Sequence, residues 1–197
     1  MRFSGLLRAI WPLMAMVAAV VFGAAGVLAQ TPAAPAQEST QKTLRVLFIG
    51  NSYTFFNNLP YLLQTIAASQ NEGPRIETEV SLSGGKTLQW HWEQKDALAK
   101  IRRGGWDFVV LQEFSTLGYR IPAGGVPKIA EPEAYFQYAR RFHEEIAKVG
   151  ARTVLYATWA RDGYPEQQRR LDHAFIEFAR EANAGLVPAG LAWTVTL

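Results

Sequence analysis

Short aliphatic runs alternate with longer amphipathic segments through most of this chain. LRVLFI at 44–49 and DFVVL at 107–111 are almost unbroken apolar runs, the pattern of strands buried on both faces. RIETEVSL at 75–82 alternates in character, RTVLYA at 152–157 supplies a fourth strand, and 186–188 supplies a short fifth. Between them the spacing predicts helices over about 59–69, 87–102, 131–148 and 164–183. Tyr135, Ala139, Phe142, Ile146 and Val149 fall on one helical stripe, and Leu171, Phe175, Phe178 and Ala182 on another.

Strands that alternate with helices imply right-handed crossovers and an α/β fold with a mostly parallel sheet covered on both sides. In such folds ligands bind beyond the carboxyl ends of the strands. Ser52 stands just past the carboxyl end of the first predicted strand, in Gly50-Asn51-Ser52-Tyr53-Thr54.

The two ends of the pattern differ from its middle. Arg2 and Arg8 precede an uncharged apolar run that ends at Val27-Leu28-Ala29, which is the layout of a secretory signal peptide over 1–29, cleaved after Ala29. An uncleaved membrane anchor is the other reading of the same run, and this segment is then the only contact with a membrane. Residues 30–42, rich in Pro, Ala and small polar side chains, read as a flexible linker, and 43–197 as the folded domain. The expected location is therefore outside the cytoplasm, periplasmic or secreted.

Removing residues 1–29 takes away two arginines and no acid, which lowers the formal charge from +3 to +1. So nearly neutral a domain offers no electrostatic footing for nucleic acid. The chain has no cysteine, so disulfides, thiolate nucleophiles and cysteine metal sites are excluded and stability rests on the core. No His/Asp/Glu cluster has metal-ligand spacing and no glycine loop fits a phosphate fingerprint, so neither cofactor nor metal is expected.

A serine in this loop either caps the following helix or acts as a nucleophile. Gly84-Gly85 follow the second strand, where a missing side chain lets backbone N–H approach a ligand. Gln112 and Glu113 follow the third. An attacking oxygen and two donors at three consecutive strand ends are the parts of an acyl-transfer site with an oxyanion hole.

These residues resemble a known family. FIGNSYT is similar to the first block of the SGNH (GDSL-like) hydrolases, with Asn51 where many members carry Asp; SGGKT resembles the second block; and in VVLQEFS Gln112 stands where most members have Asn. With GGKTL and VPAGLAW, the set looks most like a bacterial branch with Gln in the third block, and the likeness runs from about residue 44 to 193. The resemblance implies a three-layer α/β/α sandwich with a five-stranded flavodoxin-like sheet in order 2-1-3-4-5. It implies a serine esterase acting on acyl or acetyl esters of carbohydrates or lipids. Ser52 would be the nucleophile and, with Gly85 N–H and the Gln112 side chain, would hold the oxyanion; Asn51, His91 and Glu113 would line the substrate site.

The family's base is a histidine in an Asp-x-x-His block near the C-terminus, and no such block follows GLAW here. The expectation is a C-terminally truncated domain lacking its last helix and its acid/base histidine, with little turnover. His143 reads as a solvated helical residue. Asp172 and His173 are adjacent on a predicted helix and do not face each other. Trp90, Trp92 and Trp106 read as core rather than as sugar-stacking surfaces. The competing expectation is a non-catalytic carbohydrate-binding relative that keeps the pocket without the base.

Overall fold

The structure, a computed structural model, describes residues 41–70 and 72–195. The expected signal peptide, and most of the expected linker, lie outside the described residues. Five strands, β1 (Thr43–Gly50), β2 (Arg75–Leu82), β3 (Phe108–Leu111), β4 (Arg152–Tyr156) and β5 (Gly185–Val187), form one sheet in the order β2-β1-β3-β4-β5. Every pairing is parallel; Val46 sits opposite Thr78 on one side and Phe108 on the other. This is the α/β fold and strand order that the resemblance implies.

Among the described residues seven α-helices accompany the strands, six between them and one after β5: α1 (Ser52–Phe55), α2 (Leu59–Ala68), α3 (Leu88–Gln94), α4 (Asp96–Arg103), α5 (Glu133–Lys148), α6 (Gln168–Glu181) and α7 (Ala189–Val195). The single helix predicted over 87–102 is two, because Lys95 adopts a left-handed φ of 66° and caps α3 while opening α4. Thr87 accepts the Trp90 N–H at 3.2 Å and so starts α3.

Alternation along β1 divides the core. Leu47 and Ile49 face the larger cluster, with Leu88, Ile101, Phe142, Ile146, Phe175 and Phe178 from α3 to α6. Val46 and Phe48 face the other side, with Val110, half-buried Val154 and Tyr156, and Leu63 from α2. Tyr135, Ala139, Phe142 and Ile146, and Leu171, Phe175 and Phe178, are all buried, so the two helical stripes face the sheet as the periodicity requires. Among the described residues no helix is long and apolar enough to cross a membrane.

Candidate active site

β1 is buried from Val46 to Gly50 and then turns sharply into α1, which brings Asn51 and Ser52 to the carboxyl edge of the sheet. Asn51 is the N-cap of α1: its Oδ1 accepts the Tyr53 N–H at 3.2 Å, and its carbonyl accepts the Thr54 and Phe55 N–H groups at 2.9 and 3.2 Å. Its Nδ2 donates to Lys86 O at 2.8 Å, tying the turn to the loop after β2. Asn51 is 1 % exposed.

The loop after β3 holds the same turn from below. Gln112 Oε1 accepts the Asn51 N–H at 2.7 Å and the Thr54 hydroxyl at 3.0 Å, and Gln112 Nε2 donates to Glu113 O. Because the Asn51 N–H can only donate, the carbonyl end of the Gln112 amide must face it. Gln112 is 0 % exposed. His91 makes the third tether, its Nε2 lying 2.8 Å from Gly50 O, which also accepts the Ser83 N–H at 3.0 Å. Since a carbonyl only accepts, that nitrogen carries the proton. Burial lowers the His91 pKa, opposed by its bond to Gly50, which keeps the ring neutral.

Glu113 is buried and does not face water. Its two oxygens accept the Leu88 N–H at 3.1 Å and the Phe114 N–H at 2.5 Å, so it joins the start of α3 to the β3 loop. Burial raises its pKa to about 7 against these two bonds. The hydroxyl of Tyr135 is buried near it without a hydrogen-bond partner.

Ser52 itself is half-exposed, and its hydroxyl makes no hydrogen bond among the described residues. The Ser52 N–H, at the first position of α1, has no internal partner there either. Gly85 is exposed at a left-handed φ of 65°, and its N–H is likewise unpartnered among the described residues. The arrangement thus presents one hydroxyl and two unused N–H donors on loops fixed by Asn51, Gln112 and His91.

The other histidines are engaged elsewhere. His143 is half-buried rather than solvated, because its Nδ1 lies 2.9 Å from Thr153 Oγ1 on β4. His173 is exposed and pairs with Glu177 at 3.5 Å, while Asp172 accepts from Gln168 Nε2 at 2.8 Å. No group of three His, Asp or Glu side chains suited to a metal occurs among the described residues.

Three features of the site escaped the sequence reading. Thr54 is buried as a second donor to Gln112. Tyr53 packs against Trp159 at 4.9 Å, and Trp159 stacks on Trp193 of α7 at 5.3 Å. Arg161, after β4, lies over the ring of Phe114, after β3. Of the tryptophans singled out, Trp106 is buried, Trp92 packs edge-on against Phe142, and Trp90 is half-buried beneath Lys86.

No protein-family model and no curated protein matches the chain. Solved structures do. A protein of Slackia heliotrinireducens assigned to the SGNH hydrolases is 28 % identical, with a TM-score of 0.59 over 74 % of this chain and 78 % of that one. AlinE4, an SGNH-hydrolase family esterase, is 19 % identical, with a TM-score of 0.55 over 79 % of this chain and 81 % of its own. The acetyl xylan esterase AlAXEase is 16 % identical, with a TM-score of 0.56 over 73 % and 76 %. The latter two share the fold. Sheet order, the serine turn at the end of β1 and this likeness agree, and the chain belongs to the SGNH hydrolase superfamily.

Proposed function

We propose that the protein is an exported serine esterase acting on acyl esters of carbohydrates or lipids. Ser52 Oγ attacks the acyl carbonyl. The Ser52 and Gly85 N–H groups hold the oxyanion that forms, while Gln112, expected as a third donor, is fully buried with both ends of its amide engaged and instead holds the turn beneath them. Donors fixed before the reaction stabilise charge as it develops, each worth about 2.7–4 kcal/mol of barrier. The observation that carries this reading is the pair of N–H groups without internal partners beside a half-exposed serine, on a turn held by three side chains. Export rests on Arg2, Arg8 and the apolar run that follows them.

Among the described residues no histidine hydrogen-bonds to Ser52, so nothing there takes its proton efficiently and these residues alone turn over slowly. The test is labelling with a fluorophosphonate. Slow labelling at Ser52 that disappears in Ser52→Ala is expected, and equal labelling of the Ala variant rejects the nucleophile.

The engaged histidines also favour a second reading, a glycan-binding relative with no chemistry. It expects Ser52→Ala to bind glycan as the unmodified chain does, with no hydrolysis by either, as calorimetry and an ester assay together report.

A further inference from the structure

The loops after β2 and β3 enclose a cavity of about 240 Å³ that starts at Gly85 and continues past Lys86, Trp90, Phe114 and Arg120. It is smaller than a site for a whole ligand, and so suits one group of a larger molecule that also reaches Ser52. Its lining carries two cations, Lys86 and Arg120, against one acid, Glu93. Lys86 Nζ lies 5.3 Å from the centre of the Trp90 ring, and neither Lys86 nor Arg120 forms a salt bridge among the described residues. From the loop after β4, Arg161 sets its guanidinium carbon 5.8 Å from the centre of the Phe114 ring that lines the cavity.

Arg161 Nε is buried and has no hydrogen-bond partner. A buried donor left unsatisfied is uncommon and costly, and a guanidinium can only donate. The acids nearby do not answer these cations. Glu93 lines the cavity but accepts from Gln89 Nε2 at 2.9 Å, Asp162 forms no salt bridge with its neighbour Arg161, and Glu113 is buried against the Leu88 and Phe114 N–H groups.

We propose that this cavity takes the anionic group, a carboxylate or a phosphate, of a negatively charged ester substrate, held by Lys86 and Arg120 of its lining, with Arg161 beside Phe114 adding to the positive field. The inference rests on the reading of Ser52 as the nucleophile and narrows its substrates to acidic esters, for which the Gly85 edge of the cavity adjoins the oxyanion donors.

Calorimetry on the full chain carrying Ser52→Ala, which cannot turn over its ligand through Ser52, tests the cavity apart from the chemistry. The probes are an O-acetylated glucuronic acid, an O-acetylated glucose 6-phosphate and an O-acetylated glucose. At least one anionic probe is expected to bind about tenfold or more tightly than the neutral one, and the two anions tell carboxylate from phosphate. Lys86→Gln, at a half-buried position, and Arg120→Gln, at an exposed one, are expected to weaken that probe about tenfold each while leaving the neutral one unchanged, the size of a charged hydrogen bond. Equal affinity for all three probes, binding of none, or anion binding that ignores both substitutions overturns the proposal. Selective anion binding with no fluorophosphonate labelling of Ser52 supports the cavity and removes the esterase instead.

Discussion

The side-chain carbonyl of Gln112 accepts the backbone N–H of Asn51 at 2.7 Å, across 61 positions of sequence. The residue at the end of β3 therefore sets the position of the residue before the candidate nucleophile, and it also takes the Thr54 hydroxyl at 3.0 Å. Gln112→Leu keeps approximate volume and removes the acceptor, leaving two buried donors unpaired at roughly 1–3 kcal/mol each. The expected loss is about 3 kcal/mol in urea unfolding, together with loss of Ser52 labelling. A loss below about 1 kcal/mol would show that the turn is held by other bonds.

Gly50 and Gly85 predict different penalties for the same change. A Cβ on Gly50 would lie 2.6 Å from Gln112 Oε1 and 2.9 Å from Gln112 Cβ, so Gly50→Ala must displace the side chain that holds Asn51. It is expected to cost about 1–3 kcal/mol, as overpacking does, and to abolish labelling. A Cβ on Gly85 meets nothing within 4 Å. Gly85→Ala pays only for a left-handed backbone, roughly 1–2 kcal/mol, and its N–H survives. Thermal unfolding and labelling of the two variants side by side check this, and equal labelling of both contradicts the steric argument.

Glu113 makes stability fall as pH rises. Burial lifts its pKa from 4.5 to about 7 in the folded chain, so between these values the unfolded chain has already lost a proton that the folded chain still holds. The contribution is complete below pH 4.5, declines through pH 7 and is then gone, on the order of 3 kcal/mol in all. Glu113→Gln keeps an acceptor for the Leu88 N–H and cannot titrate. Denaturant unfolding between pH 4.5 and 7.5 should slope less steeply in that variant, and an unchanged slope assigns the effect to other groups.

Periodicity carried most of the fold into the sequence. The apolar runs ending at Ile49 and Leu111 and the stripes through Phe142 and Phe175 read correctly because each spans several turns or a full strand. The break at Lys95 was not legible, since neither Gly nor Pro marks it and a lysine rarely takes a left-handed φ. α1 and α7, at four and seven residues, are too short to show a period. At the site, the turn at Gly50-Asn51-Ser52 and the glycine pair were visible as residue types at strand ends. The use of the Gln112 carbonyl as an acceptor, and the stance of Arg161 over Phe114, depend on side chains meeting from different crossovers. No local pattern encodes such a meeting.

His91 gives the last and most separable test. Its Nε2–H donates to Gly50 O at 2.8 Å, and the ring is 2 % exposed. Burial holds its pKa below the ordinary 6.5, with Asp96 raising it and Lys100 lowering it by smaller amounts. The unfolded chain therefore gains a proton first as pH falls, so His91 stabilises the fold above pH 6.5 and that contribution is lost on acidification. Glu113 acts with the opposite sign over part of this range, so the measurement belongs in the Glu113→Gln background. There, urea unfolding is expected to weaken from pH 7.5 to pH 5.5. Adding His91→Phe, which fills the ring's place without a donor, should cost about 1 kcal/mol at pH 7.5 and flatten the acid slope. A double variant that keeps the slope would move the acid sensitivity to another group and leave His91 as a tether only.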